Sequence, residues 1–297
     1  MIIATHNAKF HTDDVFAVAA LHLLLGKDKC EVVRTRDESV IAKADYVVDV
    51  GNIYDSDKNR FDHHQSGGAG ERENGIPYAS VGLVWKKFGE EISGSEDVAR
   101  YIDRALIQSI DAGDNGKDIS KMLIDDVFPF DLNQLVNLYR STWKESGDWD
   151  VRFASCVDWA TSVLKRAIDV SMDLEEGKNL IVDIYNKSED KQIVVIDKKY
   201  DFGRELVVGT LVEFPEPVYA VLYRADVDNW QVAAVRKHKG AFELRKPLPK
   251  EWGAKSNKEL EEKTGVPGSV YCHRAGFMCI VSNKEVAIKL ARTALDA

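Results

Sequence analysis

No apolar run in the chain approaches the roughly 18 residues that a membrane-crossing helix requires, which argues against a membrane-embedded role. No basic stretch precedes the short apolar segment at the start, and no room is left there for a transit peptide, so no targeting segment is read. Cysteine is scarce: Cys30, Cys156, Cys272 and Cys279 are scattered, with no paired spacing of the zinc type. Dispersed thiols of this kind suit a reducing compartment. The expectation is a cytoplasmic protein with no membrane partner. Internal repeats and low-complexity segments are also missing.

What is present is ordinary globular material. The 297 residues, 44% hydrophobic and 30% charged, suffice for one large core or two moderate ones. The net charge of −9 is unevenly spread. Residues 1–190 hold 22 Lys/Arg against 35 Asp/Glu, and residues 191–297 hold 18 against 14. An acidic part carrying chemistry and a mildly basic part carrying recognition would produce this split; so would ordinary surface variation.

Along the chain, Ile2-Ile3-Ala4 reads as a buried strand. Thr12 is placed to cap a helix that starts with Asp13 and Asp14, continues through an apolar stretch at 15–25 and stops at Gly26. Val32-Val33 and Tyr46-Val47-Val48 read as further core strands, the latter closing at Asp49. Helices are expected over residues 80–88 and 95–110; in the second, Val98, Ile102, Ala105, Leu106 and Ile110 share a face. Strands separated by helices of this length predict an α/β domain over residues 1–150, with a largely parallel sheet and helices on both sides. A helical pattern over residues 151–185, interrupted at Gly177, reads as a connector within 151–190. Residues 193–196, 218–223 and 230–235 then read as strands of a smaller α+β domain spanning 191–297. Ser282 and Glu285 mark the start of a closing helix.

The residues that carry chemistry fall where the first-half strands end. His6, His11 and Asp13 follow the first strand, Asp49 closes another, and Asp62, His63 and His64 occupy a turn-rich segment. Asp111 closes the helix at 95–110, within Asp111-Ala112-Gly113-Asp114. Ligands bind at the carboxyl ends of strands in open parallel sheets, so these segments can meet in one crevice. Imidazoles with carboxylates suit Mn²⁺, Fe or Zn²⁺ better than an all-oxygen Mg²⁺ site. A shared carboxylate can bridge two ions about 3.5–4 Å apart, as in hydrolytic two-metal sites. Singly, each residue has a plainer explanation: first-turn acids on a helix, loop histidines, a turn-capping aspartate. Jointly they do not, because five of the seven histidines precede residue 65 and four of those five belong to the set.

These same residues carry a resemblance. The stretches Thr5-His6-Asn7, Phe10-His11-Thr12-Asp13-Asp14, Val33-Arg34-Thr35-Arg36-Asp37, Val48-Asp49-Val50-Gly51 and Phe61-Asp62-His63-His64-Gln65 occur in this order. Ser109-Ile110-Asp111-Ala112, Asp114-Asn115-Gly116 and His273-Arg274-Ala275-Gly276-Phe277 follow. The set resembles the melanocyte-proliferating-gene family, an offshoot of the DHH phosphoesterase superfamily. The resemblance implies a DHH-like fold and a metal-dependent hydrolase, a 3′–5′ exonuclease acting on RNA or short oligonucleotides with two divalent ions, Mn²⁺ foremost. It implies that His6, His11 and Asp49 hold one ion, and Asp13, Asp49, His63 and Asp111 the other. Asp49 bridges, His64 contacts the scissile phosphate, and Asp62 orients a neighbouring histidine. His11 stands where the superfamily often has aspartate.

The second domain offers Arg236, Lys237, His238 and Lys239, with Arg245 and Lys246 behind, as phosphate contacts. Trp230 and Phe242 offer stacking faces for bases. A solvated loop and core aromatics would explain both equally. His273, Arg274 and Gly276 form a second candidate grip, the glycine permitting close approach of a phosphate to the backbone. Two other readings stand beside the nuclease: a small-phosphoester hydrolase or pyrophosphatase, and a non-catalytic metal- or RNA-binding protein.

Overall fold

The structure, a computed structural model, describes residues 1–145 and 147–297. The chain divides into two units, Met1–Met172 and Asp173–Ala297.

The first unit is an α/β layer structure. Its elements are β1 (Ile2–Thr5), α1 (Thr12–Leu25), β2 (Glu31–Arg34), α2 (Glu38–Ile41), β3 (Tyr46–Val48), β4 (Tyr54–Asp55), β5 (Arg60–Phe61), α3 (Ser80–Ser93), α4 (Glu96–Ile102), α5 (Gln108–Asp114) and α6 (Leu132–Tyr139). The sheet order is β2-β1-β3-β5-β4. The first four of these strands run parallel, and only the edge strand β4 is antiparallel. Period-two alternation divides the strand residues between the faces. Ile3, Val48 and Phe61 join the large core formed with α1 and α3, while Ala4 and Val47 face a small cluster with Ala44, Val50 and Ile41 of α2. Helices therefore lie on both sides, and among the described residues the second side carries just one, the short α2.

Local sequence accounts for the helix ends. His11, not Thr12, is the N-cap of α1, and its backbone N–H donates to Asp14 Oδ1 at 2.8 Å. Gly26 ends this helix at φ 87°, a conformation that favours glycine. The single helix expected over 95–110 is in fact three segments: α4, a π-helical turn at Asp103–Ile107, and α5. The wider turn shifts the buried face by one residue. Burial passes from Ile102 to Ile107, five positions on, so Leu106 is only partly buried and Ala105 is exposed.

The helix α7 (Trp149–Lys187) is continuous for 39 residues and crosses the unit boundary. Phe153, Val157, Ala160 and Leu164 belong to the core of the first unit, and Ile181 and Tyr185 to a core of the second. Gly177 does not interrupt it. A Cβ there would sit 2.7 Å from Leu206 Cδ2, so glycine serves close packing at the cost of some helix propensity.

The second unit is α+β. Around the sheet β6-β7-β8-β10-β9 it holds β6 (Ile193–Val195), α8 (Arg204–Leu211), β7 (Tyr219–Arg224), β8 (Asn229–Ala234), α9 (Asn257–Thr264), β9 (Ser269–Cys272), β10 (Met278–Val281) and α10 (Lys284–Asp296). Only β6 and β7 pair in parallel. Tyr219, Val221 and Val232 pack with Leu290 and Ala291 of α10 on one face, whereas Ala220, Leu222 and Ala233 pack with Val207 and Leu211 of α8 on the other. Asn283, rather than Ser282, caps α10, its Oδ1 accepting from the Val286 N–H at 2.9 Å.

Candidate metal centre

Three adjacent parallel strands end at the site. His6 follows β1, Asp49 follows β3, and Asp62, His63 and His64 follow β5. Parallel pairing brings these chain ends side by side, as open α/β sheets generally do. Asp49 leaves β3 with φ 54°, a left-handed conformation that aspartate tolerates better than most side chains. Its carboxylate lies between two histidines: Oδ2 is 3.3 Å from His6 Nε2 and Oδ1 is 3.4 Å from His63 Nε2. The N-terminal helix supplies Asp13, Asp14 and, from its cap, His11. His6 Nε2 is also 3.2 Å from Asp14 Oδ2, and His63 Nε2 is 3.1 Å from Asp114 Oδ2.

Donor atoms of three residue groups come within 4.8 Å of one another: His6, His11 and Asp49; Asp49, His63 and His64; Asp13, His63 and Asp114. The first and second share Asp49, and the second and third share His63. His6 at 3% exposed, Asp49 at 4% and Asp13 at 0% are buried, His63 and Asp114 are half-buried, and His11 and His64 are exposed. Despite the short separations, His6 Nε2, Asp14 Oδ2, Asp49 Oδ1 and His63 Nε2 have no aligned hydrogen-bond partner. Buried polar atoms left this way are costly unless something else satisfies them. A divalent ion would do so, and a mixed imidazole–carboxylate donor set fits Mn²⁺, Fe²⁺ or Zn²⁺.

The electrostatics agree. Burial alone would lower the pKa of His6, but the neighbouring Asp14 and Asp49 outweigh it and raise it to about 10. Burial likewise opposes protonation of His63, and Asp114 and Asp49 overcome it, raising the pKa to about 11. Asp49 is pushed up by burial yet held well below the usual carboxylate range by His6 and His63. Asp13 moves the other way: burial, then the charges of Asp49 and Asp114, raise it. Without metal, then, two imidazolium ions supply the positive charge that this acidic pocket demands.

Several flanking groups fix the donors. Both oxygens of Asp13 accept from the first turn of α3, from Ser80 N–H at 2.9 Å and Val81 N–H at 2.7 Å. Asp62 accepts from Asn52 N–H at 2.6 Å through Oδ2, and its Oδ1 lies 2.8 Å from His64 Nδ1, which orients that ring. The hydrogen bond to Asp62 is the main reason the His64 pKa is raised.

Asp111 is placed differently from the other candidates. It is fully buried, and it accepts from Arg72 Nη1 at 2.6 Å and from Gly82 N–H at 3.1 Å. Arg72 also grips Asp103 at both oxygens and lies over the Tyr78 ring at 4.2 Å. Asp111 enters none of the three donor groups; Asp114, one turn further along α5, does. Sequence reasoning missed the parts of Asp14, Asp114 and Arg72. The motif Asp111-Ala112-Gly113-Asp114 and the family stretch Asp114-Asn115-Gly116 are the signals for Asp114, and an isolated loop arginine gives none.

In the second unit, Arg236 pairs with Glu205 at 2.6 Å and Lys237 with Glu243 at 3.0 Å. His238 and Lys239 are exposed. Arg245 donates to the Pro217 and Val212 carbonyls and Lys246 to that of Leu295, so both hold the fold. Trp230 is a core residue, while Phe242 is fully exposed. His273 Nδ1 accepts from Ala275 N–H at 3.1 Å, and Arg274 is exposed. Gly276 has φ 65°, and a Cβ there would sit 2.8 Å from the Leu248 carbonyl oxygen. Its close approach is to that backbone.

The sequence model of the uncharacterised protein family UPF0160, labelled MYG1_exonuc, matches residues 2–295. The chain belongs to this family. Similar relatives include the MYG1 protein of Schizosaccharomyces pombe, 28% identical over 320 residues that cover 99% of this chain and 97% of that protein. The MYG1 exonuclease of Homo sapiens is 27% identical over 322 residues, covering 99% of this chain and 85% of that one. Among solved structures, RecJ from Thermus thermophilus, in complex with Mn²⁺, aligns with 100% of this chain and 52% of its own at 11% identity, with a TM-score of 0.30. No helix among the described residues is long and apolar enough to cross a membrane.

Proposed function

We propose that this MYG1-family chain is a two-metal phosphodiester hydrolase, working as a 3′–5′ exonuclease on RNA or short oligonucleotides with Mn²⁺. The observation that carries the reading is the linked set of donor groups, in which the buried His6 Nε2, Asp49 Oδ1 and His63 Nε2 have no hydrogen-bond partner among the described residues. His6, His11 and Asp49 would hold one ion, and Asp13, His63 and Asp114 the other, with Asp49 contributing to both. When bound, such ions supply a water nucleophile at neutral pH and neutralise charge on phosphoryl oxygens. The exonuclease assignment draws on the name of the human relative. The 3′–5′ polarity and the RNA preference draw on the motif resemblance.

The chain's own groups position the substrate. His64, with its side chain 57% exposed, is aimed by Asp62, whose hydrogen bond raises its pKa and so favours the imidazolium form that would donate to a phosphate oxygen at the mouth of the cluster. Within the second unit, Arg236, Lys237, His273 and Arg274 are the groups offered to nucleic-acid phosphates. Gly276 acts indirectly, by letting the turn that carries His273 and Arg274 close against Leu248.

Metal analysis after reconstitution, combined with cleavage of end-labelled RNA, single-stranded DNA, dinucleotides and pyrophosphate, tests this. Two ions per chain and mononucleotides released from the 3′ end of RNA are expected. Chelator-resistant turnover removes the two-metal reading, and turnover confined to pyrophosphate or small esters replaces the nuclease with a small-phosphoester hydrolase.

A further inference from the structure

Exposed large apolar side chains are concentrated in one short segment of the first unit. Ile119, Met122, Leu123, Ile124, Val127, Phe128 and Phe130 are each at least 50% exposed, with Leu123 at 93%. Seven such residues within twelve positions exceed the scattered singles expected on a monomer's surface. Of this segment, Ile119, Ser120 and Pro129 line a cleft of about 510 Å³ together with Gly113 and Gly116, which flank Asp114. Taking about 200 Å² for a fully exposed large side chain, the seven present on the order of 900 Å² of apolar surface. A standard interface buries about 800 Å² on each partner.

We propose that this strap is the interface of a homodimer, its occupant being the same strap of a second copy. Composition selects among occupants. Residues 117–131 carry Lys117 and Lys121 against Asp118, Asp125, Asp126 and Asp131. That acidic balance repels the phosphates of nucleic acid and of anionic lipid alike. Five of the seven apolar residues are aliphatic or methionine, and so lack the ring faces on which bases stack. The charge order is self-complementary. Lys117, Asp118 and Lys121 precede the apolar centre with a balance of +1, and Asp125, Asp126 and Asp131 follow it with −3, so two straps crossing antiparallel about a two-fold axis set the net positive end of each copy against the acidic end of the other. Such a dimer does not depend on the proposed hydrolase activity.

Sedimentation of the full chain over a hundredfold concentration range tests it. The wild type is expected at twice the chain mass of 33.3 kDa. Leu123→Asp with Phe128→Asp is expected to weaken the dimer at least a hundredfold, while Phe242→Asp, an equally exposed site in the second unit, leaves it intact. Hydrogen exchange on the wild type supplies a reading free of substitutions: amides 119–130 should slow as the dimer forms. A wild type that stays at 33.3 kDa throughout overturns the proposal, as does a dimer with unchanged exchange over 119–130. So does a monomer whose strap variant loses affinity for an oligonucleotide or for anionic vesicles, which would identify a different occupant.

Discussion

Arg72→Gln should destabilise the first unit, and by an amount that depends on pH. Arg72 is 8% exposed and donates to Asp111 Oδ2 at 2.6 Å, and the Asp111 side chain is fully inaccessible. Once Arg72 is gone, the carboxylate keeps only backbone donors, at Gly82 and Ala79. Removing one partner of a buried ion pair costs about 3–5 kcal/mol. Asp111 can relieve part of that by taking up a proton. Burial already outweighs the attraction of Arg72 and raises its pKa to about 6. A carboxyl whose folded pKa is raised favours the fold while protonated and disfavours it increasingly as the pH climbs from about 4 through 6. Without Arg72 the folded pKa climbs further, and the penalty continues to grow above pH 6. The variant should therefore melt roughly 6–12 °C below wild type near pH 8, for a loss of about 3 kcal/mol in a unit of this size. Near pH 4, where the carboxyl is largely neutral in both proteins, the gap should shrink. Gly82→Ala should act through the same residue, because a Cβ there would lie 1.9 Å from Asp111 Oδ2. The assay is metal-free thermal unfolding at both pH values, followed by Mn²⁺ titration. If Arg72→Gln is neutral while Asp111→Asn strips an ion, Asp111 is a metal ligand and not the anchor described above.

The remaining predictions concern the cluster and the second unit. Asp49→Asn should weaken both ions and cut turnover by roughly a hundredfold or more, whereas Asp114→Asn should weaken just one; equal ion stoichiometry in the two variants would contradict a shared Asp49. Mn²⁺ uptake near pH 8 should release about two protons, since His6 and His63 titrate at about 10 and 11 without metal. Calorimetry in buffers of different ionisation enthalpy counts them, and a count near zero refutes the charge-replacement argument. Arg274→Ala should lower the salt slope of RNA binding by about 0.7. Lys237→Ala should lower it less, because Glu243 already neutralises that lysine.

How far the sequence reveals this molecule depends on the range of the forces involved. His6 and Asp49 were legible because polar residues directly after an apolar strand mark the carboxyl edge of a parallel sheet, and the Asp62-His63-His64 run because two adjacent histidines follow an aspartate where most of the chain's histidines gather. The strands β4 and β5 were not, since two residues each cannot display an alternation. Gly177 reads as a helix breaker because propensity is local, and packing against Leu206, 29 positions away, overrules it. The different placement of Asp111 and Asp114 has the same origin. Both lie on α5, three residues apart, on neighbouring positions of one helical surface. Which of them meets the histidines depends on the phase of that helix, and the phase is set upstream at Asp103–Ile107. Each residue of the π turn advances less around the axis than an α-helical residue does, so extrapolating the face from Val98 and Ile102 misplaces it by one position, as the burial of Ile107 shows. Arg72 then completes the selection, gripping Asp103 on the π turn and Asp111 beyond it. That leaves Asp114 at 3.1 Å from His63 as the helix's acid in the cluster.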